Sequence, residues 1–501
     1  MKKIAGLVGA VLFYILLVFC FLAVPLTKWF NENFGITFTE IIYTLTSPLK
    51  GANIDAFKGP IIYAAFVLIL CVLLMVLLIK FTRTFFERID IRLRIGANDS
   101  ARKGLDLRKG VVIIAVAMLV AYSIYSASFI DASLGVKQYF QTRNNLTTIY
   151  EDCYVDPDLV SITLKNGLNR PKNLIYIYLE SMETSYAKNG VNYIPGLTKL
   201  AADNISFSDN QDLGGFHSSN GTGWTIAAIL ASQSGVAFAF PAGYENSMGE
   251  RASFAPGLTT MGDILEEKGY YQEFLCGSDI KFAGRDKFFE HGDFEIYDYY
   301  NAIEDGYAEP SNRDFWGIDD LVLYQIARDR LTEISKLDQP FNFTMLTLDT
   351  HFPDGYVCDL CGDEYQEQYA NVVACADRQI SDFVEWCKTQ DFYEDTVIVI
   401  SGDHPYMGTT LVEGIDNADR TVYNCFINAE TAACARYTDR IFTSLDMFPT
   451  IMSALGFNIE GDRLGLGTNL FSDFDTLAEE KGLDYVNQAA GSSKYYLGNF
   501  N

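Results

Sequence analysis

Three long runs without charge constrain this chain of 501 residues more than any other feature. They cover residues 4–26, 60–79 and 110–130. Each run is close to the ~20 residues with which a helix crosses the ~30 Å hydrocarbon core of a bilayer. The first run follows two lysines, as a signal peptide does, but it is longer than a signal-peptide core and two further runs come after it. Residues 1–131 are therefore predicted to form a transmembrane region of three helices.

The orientation of these helices follows from the basic residues between the second and third runs. Cytoplasmic loops keep Lys and Arg, whereas translocated loops carry few of them. The basic residues of this loop are Lys80, Arg83, Arg88, Arg92, Arg94, Arg102, Lys103, Arg108 and Lys109. The loop is thus predicted to be cytoplasmic. Residues 27–59, which contain an amphipathic stretch typical of a surface helix, and everything after the third run are then predicted to be extracytoplasmic. This pattern is that of a multi-pass membrane protein.

The part of the chain after the membrane region is strongly acidic. Residues 132–501 contain 24 basic and 56 acidic side chains, which gives a formal charge of −32. A nucleic-acid partner is excluded because phosphate backbones require a basic surface. The acidity is typical of a solvated surface and does not identify a substrate.

From about residue 171 onward, short apolar runs alternate with helical stretches. The runs typical of strands buried on both faces are 173–179, 270–275, 343–348 and 396–401. The stretches with helical periodicity are 225–234, 260–269, 319–336 and 376–390. This alternation predicts an α/β fold in which helices cover a mostly parallel sheet over residues 171–501. Residues 132–170 are polar and weakly periodic, so they are interpreted as a linker.

Acidic residues and histidines follow three of the predicted strands. Glu180 comes directly after the first strand, His351 follows the third, and Asp403 and His404 follow the fourth. Ligands of such sheets bind outside the carboxyl ends of the strands. A lone histidine is usually structural, but two at equivalent strand ends beside carboxylates favour a metal site. Carboxylate and imidazole together suit manganese, magnesium or zinc, with a preference for the harder ions when oxygen ligands dominate.

A candidate nucleophile is Thr225, in the phrase SNGTGWTIAAILASQSG. Gly221 and Gly223 precede it, and a helical pattern follows, so this threonine is predicted at a helix N-terminus reached through a tight turn. Backbone N–H groups and the helix dipole favour an anion at such a position. The alternative is that Thr225 simply caps the helix, which is the usual role of a threonine there.

Eight cysteines follow the membrane region, and Cys358 and Cys361 form a close pair among them. In an oxidising compartment, cysteines of this kind form disulfides. The pair also resembles half of a zinc site, but no second pair follows at a suitable spacing. We expect a disulfide that involves one of the two.

Five phrases occur in a fixed order: IYLES, GTGWTIAAILASQSG, FAGRDKFFEHGDF, TLDTHFPDG and SGDH. Together they resemble the phosphoglycerol transferase and lipoteichoic acid synthase branch of the alkaline phosphatase and sulfatase superfamily. The resemblance spans residues 170 to 475 and implies the fold of that superfamily.

The resemblance also implies roles for individual residues. Glu180, Thr225, Asp403 and His404 would surround a divalent cation, Mn²⁺ or alternatively Mg²⁺, and Thr225 would be the nucleophile. Arg285 in AGRD matches an arginine that grips the substrate phosphate, and His351 matches a histidine near the glycerophosphate group that could act as a general acid or base.

Two departures from the family pattern bear on the substrate. The aromatic residue that lipoteichoic acid synthases place two residues before the arginine is Ala283 here, and their preceding aspartate corresponds to Ser278. Both departures argue against lipoteichoic acid polymerisation. The C/S-x-P-x-R phrase of sulfatases is absent as well, because Ala227 and Ile229 stand at its Pro and Arg positions.

The resemblance therefore implies a membrane enzyme that transfers glycerophosphate from phosphatidylglycerol to an envelope glycan or glycolipid and releases diacylglycerol. A covalent phosphothreonine-type intermediate would link the two half-reactions. A phosphoethanolamine transferase of the same superfamily and a catalytically inactive envelope scaffold are the alternatives.

Overall fold

The computed structural model describes residues 2–34, 38, 41–42, 58–96, 107–137, 140, 147–188, 190–239, 253–310, 317–430 and 436–500. The chain divides into two compact units, the first over 1–38 and 53–137 and the second over 39–52 and 138–501. The α-helices are α1 Lys2–Phe34, α2 Lys58–Gly96, α3 Leu107–Leu134, α4 Ile149–Cys153, α5 Pro195–Asp203, α6 Thr225–Ser234, α7 Met261–Glu267, α8 Arg285–Phe288, α9 Tyr299–Glu304, α10 Asp320–Ile334, α11 Gln368–Cys387, α12 Met447–Ala454, α13 Leu477–Lys481, α14 Leu483–Val486 and α15 Ser493–Asn499. The strands are β1 Ile162–Leu164, β2 Asn173–Leu179, β3 Tyr271–Cys276, β4 Glu295–Tyr297, β5 Phe341–Leu346, β6 Thr396–Gly402, β7 Asn424–Ile427, β8 Phe457–Ile459, β9 Arg463–Leu464 and β10 Gly467–Thr468.

The first unit consists of helices long and apolar enough to cross a membrane. Their apolar stretches are Val11–Trp29 in α1, Lys58–Leu77 in α2 and Ile113–Leu134 in α3. Helix α1 packs against both of the others. The basic side chains between 80 and 109 and most of the surface helix expected within 27–59 lie outside the described part of the chain. The orientation of the helices therefore stays a prediction.

The second unit is built on a six-stranded sheet with the order β4-β3-β5-β2-β6-β7. All neighbouring pairs are parallel except β6 and β7, which are antiparallel. Every residue of β2, β5 and β6 is buried. Their continuous apolar sequences follow from this position, because a central parallel strand is covered on both faces. The predicted mostly parallel α/β fold is confirmed.

Element boundaries differ from the prediction where side chains intervene. Strand β5 ends at Leu346 instead of residue 348, because the N–H groups of Leu348 and Asp349 donate to the Asp320 carboxylate and not to a neighbouring strand. Helix α11 begins at Gln368, eight residues before the predicted start, since its buried stripe already includes Tyr369. These shifts leave the strand order and the sheet edge unchanged.

Part of the segment interpreted as a linker contributes to the second unit. Strand β1 pairs antiparallel with β8, which lies almost 300 residues later in the chain. Ile149 and Tyr150 of α4 are buried in the same hydrophobic core. Weak local periodicity could not indicate these contacts, because a short strand is stabilised by its partners and not by its own propensity.

Candidate metal centre and active site

The site lies at the carboxyl-terminal edge of the parallel strands. Strands β2 and β6 pair in a register that places Leu179 opposite Gly402. Glu180 and Asp403 are the next residues on the two strands, so the two carboxylates emerge side by side. His404 follows directly. All three side chains are buried, each about 1% exposed. Parallel pairing thus brings together residues that are more than 200 positions apart.

The ligand atoms of these three residues converge. His404 Nε2 lies 3.5 Å from Glu180 Oε1 and 3.4 Å from Asp403 Oδ2. One ligand atom from each residue lies within 4.8 Å of the other two. The cluster has the size and the chemistry of a divalent cation site with two oxygen ligands and one nitrogen ligand.

Local hydrogen bonds fix the orientation of the two carboxylates. The N–H groups of Ser181 and His404 both donate to Asp403 Oδ1, each at 2.8 Å, and the Ser181 hydroxyl donates to Glu180 Oε1 at 2.7 Å. Ser181 makes both contacts from a left-handed backbone conformation, with φ of +53°. Such strain in a non-glycine residue concentrates at functional sites. Sequence reasoning did not assign a role to Ser181, and its only signal was its place next to Glu180.

The protonation pattern of the cluster fits a cation. His404 Nδ1 donates to the carbonyl oxygen of Pro405 at 2.8 Å, which directs Nε2 toward the carboxylates. Asp403 Oδ2 is buried and has no hydrogen-bond partner among the described residues. Burial, followed by the nearby charge of Glu180, raises the pKa of the Asp403 carboxyl to about 7. Two buried carboxylates and an imidazole nitrogen that face one another are stabilised by a proton or a metal cation between them.

Thr225 lies beside this cluster at the start of α6. Its hydroxyl donates to Glu180 Oε2 at 3.4 Å. Trp224 occupies the N-cap position and makes no side-chain capping bond, so Thr225 is the first helical residue and not the cap. The preceding turn contains Gly221 at φ of +79°. The predicted tight turn and helix start are both present, and the helix N-terminus presents N–H groups to the site.

Arg285 is anchored by its neighbours. Its Nη2 donates to Ser278 Oγ and to the carbonyl oxygen of Asp279, each at 2.8 Å, and its Nε donates to the carbonyl oxygen of Phe282 at 3.2 Å. The side chain is only 2% exposed. Ser278, which departs from the family pattern, therefore serves here as an acceptor that holds the guanidinium. The left-handed backbone of Ala283, at φ of +59°, turns the chain into the helix that carries Arg285.

His351 follows β5 at the same edge of the sheet. Its Nδ1 donates to the carbonyl oxygen of Phe352 at 2.8 Å. Burial, together with smaller effects of His404 and Arg285, lowers the pKa of His351 to about 4. His351 is therefore neutral at physiological pH, with Nε2 as its proton-accepting atom.

The remaining histidines lie elsewhere. His291 contacts the Asp263 carboxylate and the carbonyl oxygen of Phe254 through its two ring nitrogens. His217 lies 3.9 Å from Asp209. Neither belongs to the Glu180 cluster.

Comparisons with known proteins show the family of this chain. The family model "Sulfatase" matches residues 172–457, more than half of the chain. Phosphoglycerol transferase I of Xanthomonas euvesicatoria pv. vesicatoria (strain 85-10) is 29% identical over 441 residues, which are 86% of this chain and 57% of that protein. The chain spans about half the length of the curated relatives it matches.

Solved structures share the fold. Lipoteichoic acid synthase LtaP from Listeria monocytogenes superposes with a TM-score of 0.50 at 18% identity. The superposition covers 68% of this chain and 97% of the LtaP chain. The integral membrane protein lipooligosaccharide phosphoethanolamine transferase A (EptA) from Neisseria meningitidis has a TM-score of 0.51 at 12% identity and covers 90% of this chain and 84% of its own. The predicted resemblance is confirmed, and the chain belongs to the sulfatase family.

Proposed function

We propose that this protein transfers glycerophosphate from phosphatidylglycerol to an envelope glycan or glycolipid acceptor and releases diacylglycerol. One observation carries the proposal: a buried cluster of Glu180, Asp403 and His404 lies within hydrogen-bond reach of Thr225 at a helix N-terminus. The similarity to phosphoglycerol transferase I supports this choice of transferred group.

In this proposal Glu180, Thr225, Asp403 and His404 hold one divalent cation. We propose Mn²⁺ for this site, with Mg²⁺ as the alternative. When bound, the cation would polarise a phosphoryl oxygen and lower the pKa of a hydroxyl ligand. The orphaned Asp403 Oδ2 and the oxygen-rich ligand set support this assignment.

Thr225 acts as the nucleophile in the first half-reaction. Glu180 Oε2 accepts the hydrogen bond of the Thr225 hydroxyl and so orients it at the proposed cation site. The Thr225 oxygen bonds to phosphorus, the bond between phosphorus and the diacylglycerol oxygen breaks, and diacylglycerol leaves with the threonine proton. Glycerophosphate then remains esterified to Thr225.

His351 serves the second half-reaction. Because Nδ1 carries the proton that it donates to Phe352, Nε2 can accept the proton of an acceptor hydroxyl. The acceptor oxygen bonds to phosphorus, the bond from phosphorus to Thr225 breaks, and His351 returns the proton to the threonine oxygen.

Arg285 binds the phosphoryl oxygens in both half-reactions. Its Nε and Nη2 are held by acceptors from the chain, which fixes the plane of the guanidinium. A preorganised cation of this kind stabilises negative charge that develops on phosphoryl oxygens.

The membrane region gives the enzyme access to its lipid donor. We propose a transmembrane region over 1–131 and an extracytoplasmic catalytic domain over 171–501, to which the segment predicted as a linker, 132–170, contributes α4 and β1. Three helices that can cross a bilayer support this arrangement.

The test uses the full chain in vesicles of phosphatidylglycerol with Mn²⁺, followed by mass spectrometry of the peptide that contains Thr225. We expect a glycerophosphate adduct on Thr225 and release of diacylglycerol, with both lost in Thr225→Ala. Thr332→Ala, at an exposed site on α10, is the matched control. Diacylglycerol release that survives Thr225→Ala would overturn the mechanism.

The same experiment separates the alternatives. An adduct formed only from phosphatidylethanolamine vesicles would identify a phosphoethanolamine transferase. Complete absence of adduct and of lipid turnover with either donor, Mn²⁺ or Mg²⁺ would favour an inactive scaffold.

A further inference from the structure

A second cluster of potential metal ligands lies apart from the Glu180 site. Cys358 and Cys361 stand in the segment after β5, and Cys375 stands on α11. The sulfur of Cys358 lies 3.8 Å from that of Cys361 and 3.7 Å from that of Cys375. All three sulfur atoms lie within 4.8 Å of one another. The sequence alone showed the first pair and gave no sign that Cys375 joins it.

The spacing of the sulfur atoms matches a thiolate metal site. In tetrahedral zinc sites the zinc–sulfur distance is ~2.3 Å, which separates neighbouring sulfur atoms by ~3.8 Å. Two cysteines separated by two residues, with a third ligand on a helix, also follow the ligand spacing of such sites. The two observed separations therefore correspond to two edges of a coordination tetrahedron.

A hydrogen-bond donor and a positive charge lie near the sulfur atoms. The Gln379 amide donates from Nε2 to Cys375 Sγ at 3.4 Å and to Cys358 Sγ at 3.8 Å. Gln379 is buried, at 6% exposed. The Arg378 guanidinium donates to the carbonyl oxygen of Leu360, between the two cysteines of the pair, at 3.5 Å. An amide donor and a positive charge both stabilise negative sulfur.

We propose that Cys358, Cys361 and Cys375 bind a zinc ion as three thiolates, with water as the fourth ligand. The partly exposed side chain of Cys361 gives solvent access to that position. Binding releases three thiol protons to solvent and leaves the site with one net negative charge. The proposal is independent of the proposed transferase function.

A disulfide between two of the cysteines is the competing arrangement. It would use two sulfur atoms and leave the third as an isolated thiol beside it. Zinc uses all three, together with the Gln379 donor that contacts two of them. The site would attach the segment that carries His351 to α11, so zinc would restrict the motion of that segment.

The first measurement is made on the full chain, isolated in detergent without reductant or chelator. Native mass spectrometry and elemental analysis are expected to show bound zinc, and the denatured chain is expected to have the mass of fully reduced cysteines. A zinc-free chain whose mass is lower by two hydrogens would overturn the proposal in favour of a disulfide.

The second measurement identifies the ligands, because the Glu180 cluster could also take zinc. After replacement of zinc by cobalt(II), we expect the intense near-ultraviolet charge-transfer band of cobalt thiolates. The band should persist in Asp403→Asn and in the control Cys153→Ser, and it should be lost in Cys375→Ser. A band that survives Cys375→Ser would overturn the assignment. The absence of the band in wild-type protein would overturn it as well, and that result does not depend on how well a variant folds.

Discussion

Replacing Asp403 by asparagine is expected to stabilise the metal-free protein above neutral pH, although the residue lies in the proposed cation site. Burial, followed by the charge of Glu180, raises the pKa of the Asp403 carboxyl from 3.8 to about 7. The folded protein therefore binds the proton of the Asp403 carboxyl more tightly than the unfolded chain does. The resulting contribution to stability is fully present below pH 3.8 and is lost as the pH rises through about 7.

The magnitude follows from the size of the shift. A change of about 3 pKa units corresponds to about 4 kcal/mol at pH 8, since one unit is about 1.4 kcal/mol. Asparagine removes the charge and retains an oxygen for the two N–H groups, of Ser181 and His404, that donate to Asp403 Oδ1. With some local relaxation we expect a gain of roughly 2–4 kcal/mol, or roughly 4–8 °C in Tm for a domain of this size.

Thermal unfolding of the full chain in detergent, followed by tryptophan fluorescence, measures this effect. In EDTA at pH 8, Asp403→Asn should unfold at a higher temperature than wild type, and the difference should narrow at pH 5. Mn²⁺ should raise the Tm of wild type more than that of the variant, because it binds the folded site. Asp382→Asn, at an exposed position on α11, should change neither result. A variant that unfolds below wild type in EDTA at pH 8, or an equal response of both proteins to Mn²⁺, would refute the reasoning.

Three further substitutions test other parts of the second unit. Arg285→Lys should lower kcat/KM for transfer by roughly 10–100-fold and also lower Tm, because lysine cannot keep the hydrogen bonds to Ser278, Asp279 and Phe282 while presenting a further donor to the phosphate; steady-state kinetics and thermal unfolding measure the two effects. Arg420→Met should cost about 3–5 kcal/mol in chemical denaturation, since it leaves the buried Glu183 carboxylate, now bonded to Arg420 Nε at 2.9 Å, without its partner. Burial lowers the pKa of His291, but the hydrogen bond and charge of Asp263 outweigh burial and raise it overall, so stability should fall as the pH rises through that pKa. His291→Gln should flatten this dependence of Tm on pH.

Much of the fold could be predicted because its strands are continuous apolar runs. Strand β2 was predicted to the residue, and α6 was predicted to the residue from its helical pattern after Gly223. The short strands β1 and β4 were not predicted, since three residues carry too little pattern to separate them from loop. Their positions depend on strands distant in sequence.

The candidate site was predicted in part for the same reason. Residues that end parallel strands must lie at one edge of the sheet, so the strand runs alone suggested that Glu180, Asp403 and His404 are neighbours. The roles of Ser181 and Ser278 could not be predicted. Each role depends on a backbone turn and on the direction of a side chain. Turns and side-chain directions do not produce a periodic pattern in the sequence.

The sequence by itself determined the three apolar helices, the α/β class and the ends of the strands that carry the chemistry, because periodicity and charge are local properties of a chain. Only the tertiary structure decided that β2 lies between β5 and β6, that the Thr225 hydroxyl donates to Glu180, and that Cys375 joins Cys358. Distances between residues far apart in sequence depend on strand order, register and helix packing, and these are set by the free energy of the whole folded domain.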